Sequence, residues 1–216
     1  MQTTHCSVVV LISGNGTNLQ ALIDDSVHAN YKIGAVISNK ADAFGLERAS
    51  QADIPNQFID HSKFESRELF DSELIKAIDS YQPNLIVLAG FMRILSEKFV
   101  KHYAGKVLNI HPSLLPAYPG TNTHQRVLDA GESEHGVSVH FVTEELDGGP
   151  VIAQEKIKIE TGDTAETLAD KVHGKEHCVY PKIVSWFASD RLEMKANKAY
   201  LDNELLPESG IEIKPA

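Results

Sequence analysis

Short apolar runs that alternate with helical patterns constrain the fold of this chain more than any other feature of its sequence. The runs lack regular polar positions, which is typical of strands buried on both faces of a sheet. They are residues 6–12, 33–37, 85–90 and 107–110, and residues 56–59 are a candidate for one further brief strand. Helical patterns separate them, at residues 19–23, 39–53, 67–81 and 96–103, the last with Ser96 as a candidate N-cap. This order predicts an α/β fold in which helices cover both faces of a mostly parallel, twisted sheet.

The pattern changes after the fifth predicted strand. Residues 136–142 and 151–159 alternate apolar and polar side chains, with an Asp-Gly turn signal between them. They predict a hairpin that extends the sheet in antiparallel orientation. We expect a single domain over residues 1–216, with a core at about 6–190 and a small ribbon in the tail at 191–216.

A long helix is predicted after this hairpin. Asp163 and Glu166 resemble a capping box at its start, and the apolar pattern continues towards Phe187. Pro181 lies within this stretch, and because proline lacks an amide hydrogen we expect a kink or an interruption there.

Composition limits the class of protein. A hydrophobic fraction of 42% and a charged fraction of 23% are ordinary for a soluble globular protein, and no apolar stretch reaches the roughly 18 residues of a membrane span. A formal net charge of −10 disfavours broad nucleic-acid binding. The N-terminus has no signal-peptide pattern, and Cys6 and Cys178 are too few for a disulfide framework. We therefore expect a cytoplasmic protein in which Cys6 is a buried thiol.

Three segments lie at the carboxyl ends of predicted strands. They are "SGNGTN" (13–18), "GFMRIL" (90–95) and "NIHPSLLP" (109–116). Because ligands of parallel sheets bind outside the carboxyl ends of the strands, we expect these segments to meet at one site.

The first segment is a glycine-rich turn between a strand and a helix, a place where backbone amides can bind an anion. Leu19 replaces the third glycine of a dinucleotide fingerprint, and the Gly-Lys-Ser/Thr of a P-loop is absent. A single phosphate therefore fits better than a pyrophosphate. The alternative is a plain tight turn.

The third segment places an amide beside an imidazole. Asn109 and His111 are two residues apart on extended chain, so they project to the same side, and such a pair can stabilise an oxyanion. The alternative is a strand end with a hydrogen-bonded histidine. Asp147, in "ELDGGP", is by default a turn residue. If the hairpin brings it to His111, its carboxylate favours the charged imidazole.

One further pattern suggests a metal. "HGKEH" at residues 173–177 matches the H-x-x-E-H motif of some zinc peptidases, with Glu176 as base. Only three positions of this motif are fixed, Gly174 weakens the helix, and no third ligand is evident. We therefore predict no metal site.

Several of these stretches together resemble the phosphoribosylglycinamide formyltransferases, the folate-dependent enzymes of purine synthesis. The matching pieces are "VVVLISGNGTNLQALI", "VISNKADAFGLERA", "LIVLAGFMRIL", "LNIHPSLLPAYPG", "HGVSVHFVTEELDGGPVI" and "EHCVYP". They occur in order over almost the whole chain. The resemblance implies a Rossmann-like formyltransferase fold, no metal, and a cytoplasmic monomer or weak homodimer.

The resemblance also implies roles for individual residues. The catalytic residues would be Asn109, His111 and Asp147. The ribonucleotide would bind to Gly16, Thr17, Asn18 and Glu176, with Thr17 where the family often has serine. The co-substrate 10-formyltetrahydrofolate would bind to Arg67, Met92, Arg93, Ile94, Leu95, Asn109, Thr143, Glu144, Glu145, Leu146 and Asp147.

The implied reaction moves a formyl group from 10-formyltetrahydrofolate to the amine of glycinamide ribonucleotide. Asn109 and protonated His111 would stabilise the oxyanion, and Asp147 would keep His111 charged. Related activities stay open: methionyl-tRNA formyltransferase, which needs an extra RNA-binding domain, and formyltetrahydrofolate hydrolase, which carries a regulatory domain before the first strand. A non-catalytic phosphate-binding module would leave the three catalytic candidates unexplained.

Overall fold

The computed structural model describes residues 5–213 and is built around a mixed sheet. The strands of this eight-stranded sheet are β1 (Cys6–Ile12), β2 (Tyr31–Ser38), β3 (Asn56–Phe58), β4 (Leu85–Leu88), β5 (Val107–His111), β6 (Glu134–Phe141), β7 (Val151–Lys158) and β11 (Ile211–Glu212). Their order is β11-β7-β6-β5-β4-β1-β2-β3. The first five strands pair in parallel, and β6 is antiparallel to both neighbours. The predicted α/β sheet with an antiparallel hairpin is therefore confirmed.

Helices cover both faces of this sheet. They are α1 (Thr17–Ser26), α2 (Phe44–Gln51), α3 (Arg67–Asp79), α4 (Glu97–His102), α5 (Thr123–Asp129) and α6 (Ala165–Ala188). Alternate side chains of β1 divide between two cores, because successive residues of a strand point to opposite faces. Val8 and Val10 pack with residues of α1 and α6, whereas Val9 and Leu11 pack with residues of α3 and α4.

A second, three-stranded antiparallel sheet follows α6. It consists of β8 (Leu192–Lys195), β9 (Lys198–Leu201) and β10 (Glu204–Leu205), which agrees with the ribbon predicted for the tail. After it, β11 returns to the edge of the main sheet beside β7. Residues 1–4 and 214–216 of the predicted domain lie outside the described residues, and the assignment of 1–216 to a single domain stays a prediction.

Three local predictions were wrong or incomplete. The capping box of α6 is formed by Thr164 and Thr167, whose side chains each accept a hydrogen bond from the other's backbone amide. Asp163 accepts instead from the amide of Glu160 and from Lys171. The helix continues through Pro181 without interruption, since buried neighbours on both sides hold it in place. Helix α5 was not predicted.

The environment of Cys6 also differs from the prediction. Its side chain is half-buried rather than buried. Partial burial, with a smaller contribution from the charge of Asp190, raises the pKa of this thiol to about 11. No helix within residues 5–213 is both long and apolar enough to cross a membrane.

Candidate functional site

The glycine-rich loop lies between β1 and α1, as the sequence predicted. Gly16 precedes the helix in the left-handed conformation, with a φ of 73°, and a side chain there would lie 2.7 Å from the Cα atom of Gly45. Only glycine meets both conditions without strain. Thr17 is the first residue of α1. The amide hydrogens in the first turn of this helix have no partner within the helix and can bind an anion.

Asn18 connects this loop to α6. Its Nδ2 donates a hydrogen bond to Oε2 of Glu176 at 2.7 Å, although the two residues are 158 positions apart. Oδ1 of Asn18 is buried and has no hydrogen-bond partner among the described residues. Burial raises the pKa of Glu176, and the hydrogen bond from Asn18 opposes this effect in part. The residues expected to bind the ribonucleotide are therefore brought together.

Asn109 lies in the middle of β5, opposite His140 of β6. Nδ1 of His140 is 2.8 Å from the carbonyl oxygen of Phe141, so this nitrogen donates. Burial lowers the pKa of His140 and keeps the ring neutral, so its Nε2 accepts a hydrogen bond from Nδ2 of Asn109 at 3.1 Å. The second hydrogen of Nδ2 is left for another acceptor.

His111 and Asp147 form the second part of this centre. Nδ1 of His111 lies 3.5 Å from Oδ2 of Asp147, and both side chains are more than nine-tenths buried. Nε2 of His111 lies 2.9 Å from the carbonyl oxygen of Tyr118. Two acceptors thus face the two ring nitrogens, an arrangement that suits a doubly protonated imidazole. The condition left open from the sequence, that the hairpin brings Asp147 to His111, is met.

Asp147 occupies the middle of the centre. Its Oδ1 lies 3.8 Å from Nε2 of His140, and its Oδ2 accepts a hydrogen bond of 2.8 Å from the amide of Gly120. The residue has a φ of 52°, in the left-handed region that aspartate tolerates better than most residues. Asn109, His111 and Asp147 therefore lie in one cluster, in which Asp147 faces His111 and neutral His140 contacts Asn109.

A small cavity of about 120 Å³ opens beside Asn109. Most residues predicted to bind the folate line it, namely Arg93, Ile94, Leu95, Asn109, Thr143, Glu144, Glu145, Leu146 and Asp147. Ile94 and Leu146 are more than half exposed, which gives the cavity an apolar rim. Arg93 stacks over the ring of Phe70 with its guanidinium carbon 5.1 Å from the centroid.

Two predicted folate residues lie apart from this cavity lining. Arg67, the first residue of α3, forms an exposed ion pair with Glu68 at 3.4 Å. Met92 is 70% exposed, and its amide donates to Oγ of Ser13 at 2.8 Å. Through this bond, Ser13 ties the glycine-rich loop to the segment that supports the cavity.

The residues of "HGKEH" do not form a metal centre. Glu176 is engaged by Asn18, and the rings of His173 and His177 stack at 6.5 Å. Within residues 5–213, His, Cys, Asp and Glu side chains do not form a group of three that could hold a metal ion.

Sequence reasoning missed two residues that support the site. His140 stands out only as a polar side chain within an apolar strand, and its role depends on the register of β5 and β6. Tyr180 is fully buried, and its hydroxyl lies 2.9 Å from the carbonyl oxygen of Leu88 and 3.0 Å from that of Leu108. It thereby bridges β4 and β5.

Known proteins share this architecture and sequence. The formyl transferase family model matches residues 6–184. The chain is 57% identical to the phosphoribosylglycinamide formyltransferase of Escherichia coli (strain K12) over 206 residues, covering 94% of this chain and 97% of that protein. A structure titled phosphoribosylglycinamide formyltransferase from Coxiella burnetii superposes with a TM-score of 0.94 at 55% identity, covering 97% of this chain and 100% of that one.

A longer relative contains the same region. The trifunctional purine biosynthetic protein adenosine-3 of Homo sapiens is 44% identical over 192 residues, covering 88% of this chain and 19% of that protein. The resemblance found from the sequence is confirmed, and the chain belongs to the formyl transferase family.

Proposed function

We propose that this protein transfers the formyl group of 10-formyltetrahydrofolate to the amine of 5′-phosphoribosylglycinamide. The products are the formylated ribonucleotide and tetrahydrofolate, in the synthesis of IMP. The observation that carries this proposal is the near full-length similarity to enzymes named for that reaction, together with the buried centre of Asn109, His111 and Asp147.

The ribonucleotide binds at the glycine-rich loop. The amides of Gly16, Thr17 and Asn18 hold its phosphate, because the start of α1 offers amide hydrogens and a positive dipole end. Glu176 accepts from the ribose hydroxyls. The buried and unpaired Oδ1 of Asn18 supports this placement, since an acceptor in that position lacks a donor until a ligand supplies one.

The folate binds in the cavity beside Asn109. Its ring system lies between segments 92–95 and 143–147, and the apolar rim at Ile94 and Leu146 excludes water from its faces. Arg67 and Arg93 offer positive charge for the glutamate carboxylates, which are the anionic end of the co-substrate.

The chemical step joins the ribonucleotide nitrogen to the formyl carbon and breaks the bond from that carbon to the folate nitrogen. Asn109 and His111 stabilise the tetrahedral oxyanion, and donors aimed at developing charge are usually the largest catalytic effect. Asp147 holds His111 in its charged form. The proton lost by the attacking amine passes, through water near Asp147, to the leaving folate nitrogen.

The distance between Nδ1 of His111 and Oδ2 of Asp147 is longer than that of a full-strength hydrogen bond. At 3.5 Å, Nδ1–H is not committed to a full-strength bond with the carboxylate, so it can also donate to an oxyanion bound beside Asp147. Catalytic hydrogen bonds are often long without substrate and tighten when it binds. We also propose that the protein acts in the cytoplasm as a monomer or weak homodimer, and that its net charge of −10 keeps it from nucleic acid.

The test mixes the purified protein with 10-formyltetrahydrofolate and follows folate absorbance with and without the ribonucleotide. Tetrahydrofolate formed only when both substrates are present supports the proposal. Loss of the formyl group without the ribonucleotide would instead indicate a hydrolase. No change in either mixture would show that the family membership does not extend to this activity.

A further inference from the structure

Arg48, on α2, forms hydrogen bonds to the glycine-rich loop. Its Nε donates to the carbonyl oxygen of Asn15 at 2.8 Å, and one terminal nitrogen lies 3.3 Å from Oδ1 of the same residue. The other terminal nitrogen donates to Oε1 of Gln20 at 3.1 Å. The guanidinium therefore holds the loop from one side and the first turns of α1 from the other.

Close backbone contact keeps α2 against this loop. The amide of Gly45 donates to the carbonyl oxygen of Gly14 at 3.1 Å. A side chain at Gly45 would come within 2.4 Å of Ile12 and 3.3 Å of Gly16, so glycine is needed for the approach. The stretch "FGLER" thus supplies both a close contact and a cation to the same loop.

The charge of Arg48 is not neutralised by these contacts. All of its acceptors are uncharged, being one carbonyl oxygen and two amide oxygens. The ring of Phe44 lies 4.9 Å from its guanidinium carbon and fixes the side chain further. The side chain is half-buried and lines a surface groove together with Thr17, the first residue of α1.

We propose that Arg48 is a positioning residue for the phosphate of the ribonucleotide. It holds Asn15 and the start of α1 in the conformation that directs amide hydrogens at the anion. Its charge also favours a doubly charged phosphate over an uncharged group, since attraction between charges near a protein surface acts over several ångströms. This inference rests on the proposed function, because it assigns the anion at the loop to that substrate.

The experiment compares two substrates, glycinamide ribonucleotide and its dephosphorylated ribonucleoside. We expect Arg48→Met to raise KM for the ribonucleotide by about tenfold, as expected for losing a charged hydrogen-bonding group. The kcat, the KM for the folate, and kcat/KM for the ribonucleoside should stay near the wild-type values. A general structural defect would lower all of these together.

Two further variants complete the test. Arg48→Lys keeps the charge but cannot hydrogen bond to Asn15 through two nitrogens, so its KM for the ribonucleotide should lie between those of Arg48→Met and wild type. If Arg48→Met does not fold, the comparison of Arg48→Lys with wild type tests the inference. Arg191→Met is the matched control, because Arg191 pairs with Asp202 in the C-terminal ribbon, and all parameters should remain unchanged.

An active enzyme whose KM for the ribonucleotide is the same in all the Arg48 variants would overturn the inference. So would a parallel loss of activity towards both substrates. Wild-type protein without activity would count against the proposed function instead.

Discussion

Asn109 donates a hydrogen bond of 3.1 Å to a neutral His140, across the register pair that joins β5 to β6. The bond fixes which face of the Asn109 amide carries its hydrogens. A catalytic amide rotated by half a turn would present its oxygen to the oxyanion, so this contact matters for the reaction as well as for packing.

The catalytic residues should be separable from the fold. We expect Asn109→Ala and His111→Ala to reduce kcat by on the order of 10²–10³, because each removes a donor to the oxyanion. Thermal unfolding and circular dichroism should stay near wild type. Turnover like that of wild type in either variant would remove that residue from the mechanism.

His140 should act through Asn109. His140→Leu removes the acceptor and should lower kcat by about tenfold, the effect of one lost hydrogen bond of about 1.4 kcal/mol. In the double variant with Asn109→Ala, the His140 substitution should add little, because the contact is already gone. If the two losses multiply, His140 acts independently of Asn109.

Glu176 should lower the stability of the folded protein at neutral pH and contribute to binding of the ribonucleotide. Because burial raises its pKa above the ordinary value near 4.5, the unfolded chain ionises first as pH rises, and the folded protein loses stability on passing through that window. Glu176→Gln keeps an acceptor for Asn18 without the charge. Its melting temperature should match wild type near pH 4 and exceed it at pH 7, while KM for the ribonucleotide rises. Equal melting temperatures at both pH values would contradict this.

His135 should limit stability in acid. Burial, with smaller contributions from His124 and His111, lowers its pKa from 6.5 to about 4. Between these values the unfolded chain binds a proton that the folded protein does not, so stability should fall as pH drops from 6.5 to about 4. The slope is roughly 1.4 kcal/mol per pH unit for one proton.

The free energy of unfolding, measured with urea at several pH values in that range, should change less steeply with pH for His135→Gln than for wild type. Glutamine can still hydrogen bond to His124, whose Nδ1 lies 2.9 Å from Nε2 of His135. Identical slopes for the two proteins would mean that other groups govern acid unfolding.

Gly149 should be indispensable for the loop of Asp147. A side chain there would lie 1.8 Å from the carbonyl oxygen of Phe141, so Gly149→Ala must displace the loop. We expect lower stability and a loss of kcat, measured by thermal unfolding and the formyl-transfer assay. Gly174→Ala is the matched control, since no atom lies within 4 Å of the added carbon. It should stabilise α6 by up to about 1 kcal/mol with activity unchanged.

The sheet could be predicted because its central strands are continuous apolar runs and its segments at 13–18, 90–95 and 109–116 follow those runs directly. Helix α5 could not, since residues 123–129 contain only Val127 and Leu128 as large apolar side chains and show little periodicity. The start of α6 was misplaced by one residue, because Asp163 and Thr164 are both good N-caps; in the structure Thr164 caps the helix and Asp163 pairs with Lys171.

The candidate site, like the fold, could be predicted from the sequence only in part. From the sequence, the proximity of Asp147 to His111 was conditional on how the hairpin folds, and its geometry required the loop at Tyr118 and Gly120 to be placed. His140 and Tyr180 were beyond sequence reasoning for another reason. Their contacts depend on strand register and on the docking of α6, and neither leaves a local pattern.

The hydrogen bond between Asn18 and Glu176 has a consequence for the order in which the site forms during translation. The glycine-rich loop is translated before α6, and the two residues of the bond are 158 positions apart. Because a chain is translated from its N-terminal side, a nascent chain that has passed the loop but not yet α6 holds an incomplete ribonucleotide site. Binding of the ribonucleotide can therefore stabilise the fold only after α6 has been made and has docked.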